Sequence, residues 1–197
     1  MKPNVRIEAL ETPRLLLRAP ELGDARALTD ILQDQEIHRW TTAIPNPYTM
    51  EDARAFIESR ADAVETNDAF VWAIALRDRG QVVGMMGLHD VNVDRGRAEL
   101  GYWMAESARG KGYATEAAWR VLSWAFETAE LDRIQATYFP GNEASASVMR
   151  KIGMQPEGLL RSYGVKDGRL IDLYLQSVLR SDTTWMSTVD QWASVDR

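Results

Sequence analysis

The chain has no cysteine among its 197 residues. That absence excludes a disulfide framework, a thiolate metal site and a cysteine nucleophile together. It has only two histidines, His38 and His89; neither lies in a metal-ligand spacing, so no metal site is expected and each reads as a polar side chain near a loop or strand end. No stretch approaches the roughly 20 apolar residues of a membrane helix, and the first 20 residues carry no apolar run of signal-peptide length. A cytoplasmic protein that binds no membrane is the expectation. Basic charge is also scarce, with a net charge of −6 and no basic block. This argues against sequence-independent nucleic-acid binding and leans towards a cationic acceptor such as an amine, although the same charge keeps ordinary proteins dispersed.

What is present suits one core. The 45% hydrophobic content over this length fits a single domain over residues 1–180, with a tail over 181–197. Arg14 to Arg18 is a short apolar run, and Leu22, Ala25, Leu28, Ile31 and Leu32 follow at helical spacing. Pro45, Asn46 and Pro47 make His38 to Tyr48 a loop. Thr49 and Asp52 form a capping pair for a second helix, whose apolar face is Ala53, Phe56, Ile57 and Val64. Strands are expected at Phe70–Leu76, Gln81–Leu88 and Arg97–Met104, separated by turns ending in Gly80 and Gly96. A long helix over Ala114–Glu130, a strand over Arg133–Tyr138, a short helix over Asn142–Ile152 and a strand pair, Gln155–Tyr163 and Leu170–Leu179, complete the order β-α-α-β-β-β-α-β-α-β-β. In the tail, Trp185, Val189 and Trp192 fall at i, i+4 and i+7, which fits a terminal helix that docks on the core or on a second subunit of a homodimer.

Between the third of those strands and the long helix lies Arg109-Gly110-Lys111-Gly112-Tyr113-Ala114. Glycines there let an anion approach the main chain at the positive end of a helix, and Arg109 and Lys111 add charge. A glycine turn that merely caps the helix has the same appearance. The spacing is neither that of a nucleoside-triphosphate loop nor, lacking its third glycine, that of a dinucleotide fingerprint.

Several ordered motifs then coincide. Glu99-Leu100-Gly101-Tyr102-Trp103-Met104, the glycine loop continuing through Thr115-Glu116-Ala117, Asn142-x-x-Ser145 and Lys151-x-Gly153 together resemble the GNAT N-acetyltransferase superfamily. Within it they are most similar to the subgroup that acetylates ribosomal-protein alanine or serine amino termini. The resemblance spans about Thr12 to Leu179. It implies an α/β (α+β) fold with a mixed, mostly antiparallel sheet of six to seven strands, helices on both faces, and a splay between the fourth and fifth strands. It also implies acetyl-CoA as co-substrate and direct transfer to a primary amine, either a protein N-terminus or a small molecule.

By that resemblance Arg109, Gly110, Lys111, Gly112, Tyr113 and Ala114 hold the pyrophosphate, Trp103 and Met104 pair with the pantetheine arm, and Asn142 and Lys151 lie near the arm and its phosphates. Glu99 is the candidate base, and shares a strand face with Arg97, Gly101 and Trp103; pairing with Arg97 or another strand is its alternative. Where many members of the superfamily place a tyrosine acid, this chain has Met149. Ser145 stands in as a donor to the leaving sulfur, or else as a helix-capping serine, with Tyr138 as a weaker substitute. Met149 also motivates a second reading, a non-catalytic acyl-CoA-binding or regulatory domain. The segment carrying His38, Trp40 and Tyr48 is where the amine acceptor is expected to bind.

Overall fold

A computed structural model describes residues 7–66 and 68–182, with only the backbone for residues 61–65. The proposed tail helix with Trp185, Val189 and Trp192 lies outside the described residues. Eight strands form one sheet in the order β1-β2-β3-β4-β5-β6-β8-β7: β1 (Leu10–Glu11), β2 (Leu15–Arg18), β3 (Phe70–Leu76), β4 (Val82–Asn92), β5 (Arg97–Met104), β6 (Arg133–Tyr138), β7 (Gln155–Lys166) and β8 (Arg169–Leu179). Every pairing is antiparallel except β5 with β6. The sheet is mixed and mostly antiparallel as expected, but has eight strands rather than six to seven. The extra one is the two-residue β1, which pairs with β2 and is too short to show alternation.

Helices cover both faces. On one side α1 (Ala25–Ile31) and α3 (Met50–Glu65) cover a cluster with Leu28, Ala53, Val71, Ala73 and Met85. On the other, α4 (Tyr113–Glu127) and α5 (Glu143–Lys151) cover the larger cluster. There Trp124 of α4 stacks edge-on against both Phe70 and Trp72, each at 5.0 Å. Strand β3 is buried on both faces, which explains its unbroken apolar run. Thr49 and Asp52 cap α3 reciprocally, Asp52 Oδ2 accepting from the Thr49 amide at 2.8 Å and Thr49 Oγ1 from the Asp52 amide at 3.1 Å.

One α-helix was not expected either. The segment read as a loop from His38 begins inside α2 (Gln35–Arg39), whose cap is Asp34, accepting from the Glu36 amide at 2.9 Å. Five residues are too few to display a helical period.

Candidate active site

The expected splay is present, between β5 and β6 because β1 advances the count by one. These parallel strands pair only over Arg97–Glu99 with Arg133–Gln135. Beyond that, β5 stays with β4 as far as Met104 while β6 stays with β8 as far as Tyr138. A V-shaped gap opens.

Glu99 sits at its vertex, on the last paired row. Its carboxylate accepts hydrogen bonds from Thr137 Oγ1 at 2.8 Å and Gln135 Nε2 at 3.3 Å, so it is tied to the opposite arm of the V rather than to Arg97. Across the sheet, His89 of β4 is its register partner. The His89 ring lies against the cross-strand pair Gly87 and Gly101, where added methyl groups would stand 3.0 Å and 3.3 Å from it. Burial pulls this imidazole below its ordinary pKa and Arg60 adds to the effect, while Asp90 and Glu99 oppose it. His89 is thus a neutral ring beside the carboxylate, in a strand that runs four residues past the Leu88 end expected from the sequence pattern.

The alternate face of β5 carries Tyr102. Its phenol reaches Ser145 of α5, 2.9 Å from the hydroxyl, and burial pushes its pKa up to about 12 with the Ser145 bond opposing. Ser145 is therefore not a cap; the cap is Asn142, whose Oδ1 accepts from the Ser145 amide at 3.1 Å. Glu99 and Ser145 approach the gap from opposite faces of the sheet, which suits a ligand threaded between the strands. Met149 is 1% exposed and packs in the larger core, so its helix face does not line a polar site. Lys151 ends α5 on the exposed surface, and Tyr138 stacks on Tyr174 at 5.4 Å.

From Met104 the chain makes a short 3-10 turn and enters the glycine loop. Gly110 and Gly112 have φ of 74° and 80°, and Gly112 is the N-cap of α4. A left-handed N-cap with no side chain leaves the first-turn amides of the 15-residue helix to an outside acceptor. Lys111 is exposed. Arg109 is turned the other way, its Nε donating to the Met104 carbonyl at 3.1 Å and its guanidinium pairing with Asp34. It ties the strand end to α2.

The acceptor-side residues divide. His38, residues 42–46 and Asp167 line an open cleft of about 360 Å³. His38 Nε2 stands 3.9 Å from Asp167 Oδ1, and its buried Nδ1 has no hydrogen-bond partner. Lys166 pins the β7–β8 hairpin to this segment by donating to the carbonyls of His38 at 2.7 Å and Thr41 at 2.9 Å. Trp40 packs edge-on against Phe139 at 6.1 Å, next to the β6 arm. Tyr48, by contrast, is 6% exposed and lies in the smaller core under α1 and α3.

Sequence patterns missed Asp34, Tyr102, Lys166 and Asp167 as site residues. Only Tyr102 had a signal, since period two puts it on the face opposite Glu99.

A family model described as an acetyltransferase (GNAT) domain matches residues 14–155. The chain belongs to the GNAT acetyltransferase family. This acetyltransferase is 34% identical over 177 residues to the uncharacterized N-acetyltransferase p20 of Bacillus licheniformis, covering 89% of this chain and 98% of that one. It is 25% identical to the [ribosomal protein uS5]-alanine N-acetyltransferase of Escherichia coli strain K12, over 93% of this chain and 96% of that one. In fold it is similar to Mycobacterium smegmatis RimJ, solved in complex with CoA-disulfide, with a TM-score of 0.85 at 24% identity, covering 100% of this chain and 98% of that one. No helix among the described residues is long and apolar enough to cross a membrane, and no cluster of metal-ligating side chains is found among them.

Proposed function

We propose that this acetyltransferase moves an acetyl group from acetyl-CoA to the α-amino group of a protein or peptide, in a ternary complex and without a metal. The observation that carries the reading is Glu99 at the vertex of the splayed strands, with the glycine loop of α4 at the far end of the same strand. The residues fit CoA: left-handed glycines and an uncapped helix N-terminus suit a pyrophosphate, and the edge of β5 left open on its β6 side, with Trp103 and Met104, suits an extended amide-bearing arm. Acetyl-CoA supplies the activated acyl group.

Glu99, held by Thr137 and Gln135, accepts the proton of the attacking amine. Ser145, ordered by Tyr102, donates towards the leaving sulfur from the other face. The amine enters by the cleft of His38 and Asp167, where a carboxylate attracts a cationic terminus before it loses its proton. A peptide acceptor is favoured by that cleft's openness and by the uS5-alanine acetyltransferase among the relatives. A cytoplasmic location goes with acceptors of this kind. A homodimer is supported by Leu159, Tyr163, Val165, Leu170 and Tyr174, apolar residues exposed on the β7–β8 hairpin; sedimentation velocity of the full chain tests it.

The acceptor is tested by mass spectrometry of products from peptides, polyamines, amino acids and aminoglycosides. Acetylated peptide amino termini, with kcat falling at least 100-fold in Glu99→Gln at unchanged CoA affinity, are expected. A chain that binds CoA and releases no thiol with any acceptor is instead an acyl-CoA-binding domain.

A further inference from the structure

Behind the glycine loop lies a carboxylate that the reaction does not use. Glu116, in the first turn of α4, is 1% exposed. Its Oε1 accepts from Thr12 Oγ1 at 2.6 Å and from the Arg14 amide at 3.0 Å, and its Oε2 accepts from Arg14 Nε at 2.6 Å. Arg14, on the chain entering β2, also donates from Nη1 to the Lys111 carbonyl at 3.0 Å. Its guanidinium lies 4.7 Å over the Tyr113 ring, and Nη2 stands 3.5 Å from where a Cβ on Gly112 would be. One arginine thus contacts Lys111 and Tyr113, and lies beside Gly112 between them, from a strand about a hundred positions away.

Two consequences follow from elementary geometry and charge. A trans peptide is planar with its C=O and N–H antiparallel, so a Lys111 carbonyl held towards Arg14 turns the Gly112 N–H the opposite way, out of the loop. A buried negative charge in the first turn also opposes any anion at that helix end unless a cation compensates it. Arg14 supplies both the pin and the compensating charge.

We propose that Arg14 is a positioning residue for the CoA pyrophosphate, aiming the Gly112 amide outward and neutralising Glu116 beneath it. The inference rests on the loop's being the pyrophosphate site.

Calorimetry and NMR titration of the full chain with CoA, and with pantetheine as a probe that lacks the pyrophosphate, test it. Arg14→Gln is expected to weaken CoA binding by about 10- to 100-fold and to leave pantetheine binding unchanged. Adding Glu116→Gln to that variant is expected to recover part of the loss, because the uncompensated charge goes with it. Arg14→Lys keeps a charge without the planar fork, and is expected to lie between Arg14→Gln and wild type. Should Arg14→Gln not fold, Arg14→Lys carries the comparison: weaker CoA binding at unchanged pantetheine binding supports the proposal, and wild-type CoA affinity overturns it. Equal losses for both probes, or a double variant worse than Arg14→Gln, also overturn it. Failure of the wild-type chain to bind CoA overturns the pyrophosphate assignment itself, and so is distinguishable from these results.

Discussion

Replacing Gly84 by alanine tests whether the outer arm of the V is as tightly seated as its packing implies. Gly84 lies on β4 opposite Met104, and a Cβ there would stand 2.6 Å from the Trp103 carbonyl oxygen and 2.7 Å from Met104 Sδ. The thioether can swing aside, but the carbonyl belongs to a paired strand. It must retreat from 2.6 Å towards an ordinary contact near 3.4 Å, carrying the end of β5 with it. Overpacking of this kind costs about 1–3 kcal/mol. For a chain of this length that corresponds to a fall in Tm of roughly 2–12 °C. Because the displaced carbonyl is on the arm assigned to the pantetheine, CoA affinity should fall several-fold as well. Gly23→Ala is the control, since nothing lies within 4 Å of its added methyl group. Melts by circular dichroism and CoA titration of both variants decide the matter: a Gly84→Ala protein with the melting point and CoA affinity of wild type would refute the claimed packing.

Tyr102→Phe removes the partner of the Ser145 hydroxyl and should cost about 1–1.5 kcal/mol in denaturant unfolding; combined with Ser145→Ala the total should be less than the sum of the two. His89 is held below its ordinary pKa of 6.5, so the unfolded chain binds its proton more readily. The contribution of the neutral ring is complete above 6.5 and is lost as pH falls through the lower folded value; His89→Gln should flatten that part of the stability profile. Glu157 behaves as a carboxylate held down to about 2, chiefly by Arg133 and then by Ser177. Its contribution is present above its ordinary 4.5 and lost as pH falls towards 2, so Arg133→Gln should move acid unfolding to higher pH, as followed by tryptophan fluorescence.

Strands β3, β5 and β6 were legible residue for residue, because each is a run of β-forming side chains closed by a charged or glycine turn. The glycine loop was legible for a similar reason: its two left-handed residues are both glycine and a helical stripe begins at once. Strand β1 and helix α2 escaped because two and five residues are too few for a period to repeat, and they exist through a paired neighbour or a cap. The site is harder to read than the fold. Arg109, expected at the phosphates, has its side chain on Asp34 and the Met104 carbonyl, while Arg14, read only as the edge of an apolar run, reaches the loop. The contacts of Arg109 with Asp34 and of Arg14 with Lys111 join residues 75 and 97 positions apart, and no local window carries them. Tyr48 illustrates the converse: an aromatic beside a proline-rich loop suggests recognition, yet its ring fills a core.

The brief pairing of β5 with β6 also divides the sheet. Three rows of residues join a block of five strands, β1 to β5, to a block of three, β6, β8 and β7. Local opening at that seam is therefore expected to show as different amide exchange rates in the two blocks, although one buried cluster packs against both. The Glu99 side chain stitches the two blocks together through Thr137 and Gln135. Were Glu99 to take up a proton as the base proposed above, these two hydrogen bonds across the seam would weaken with it.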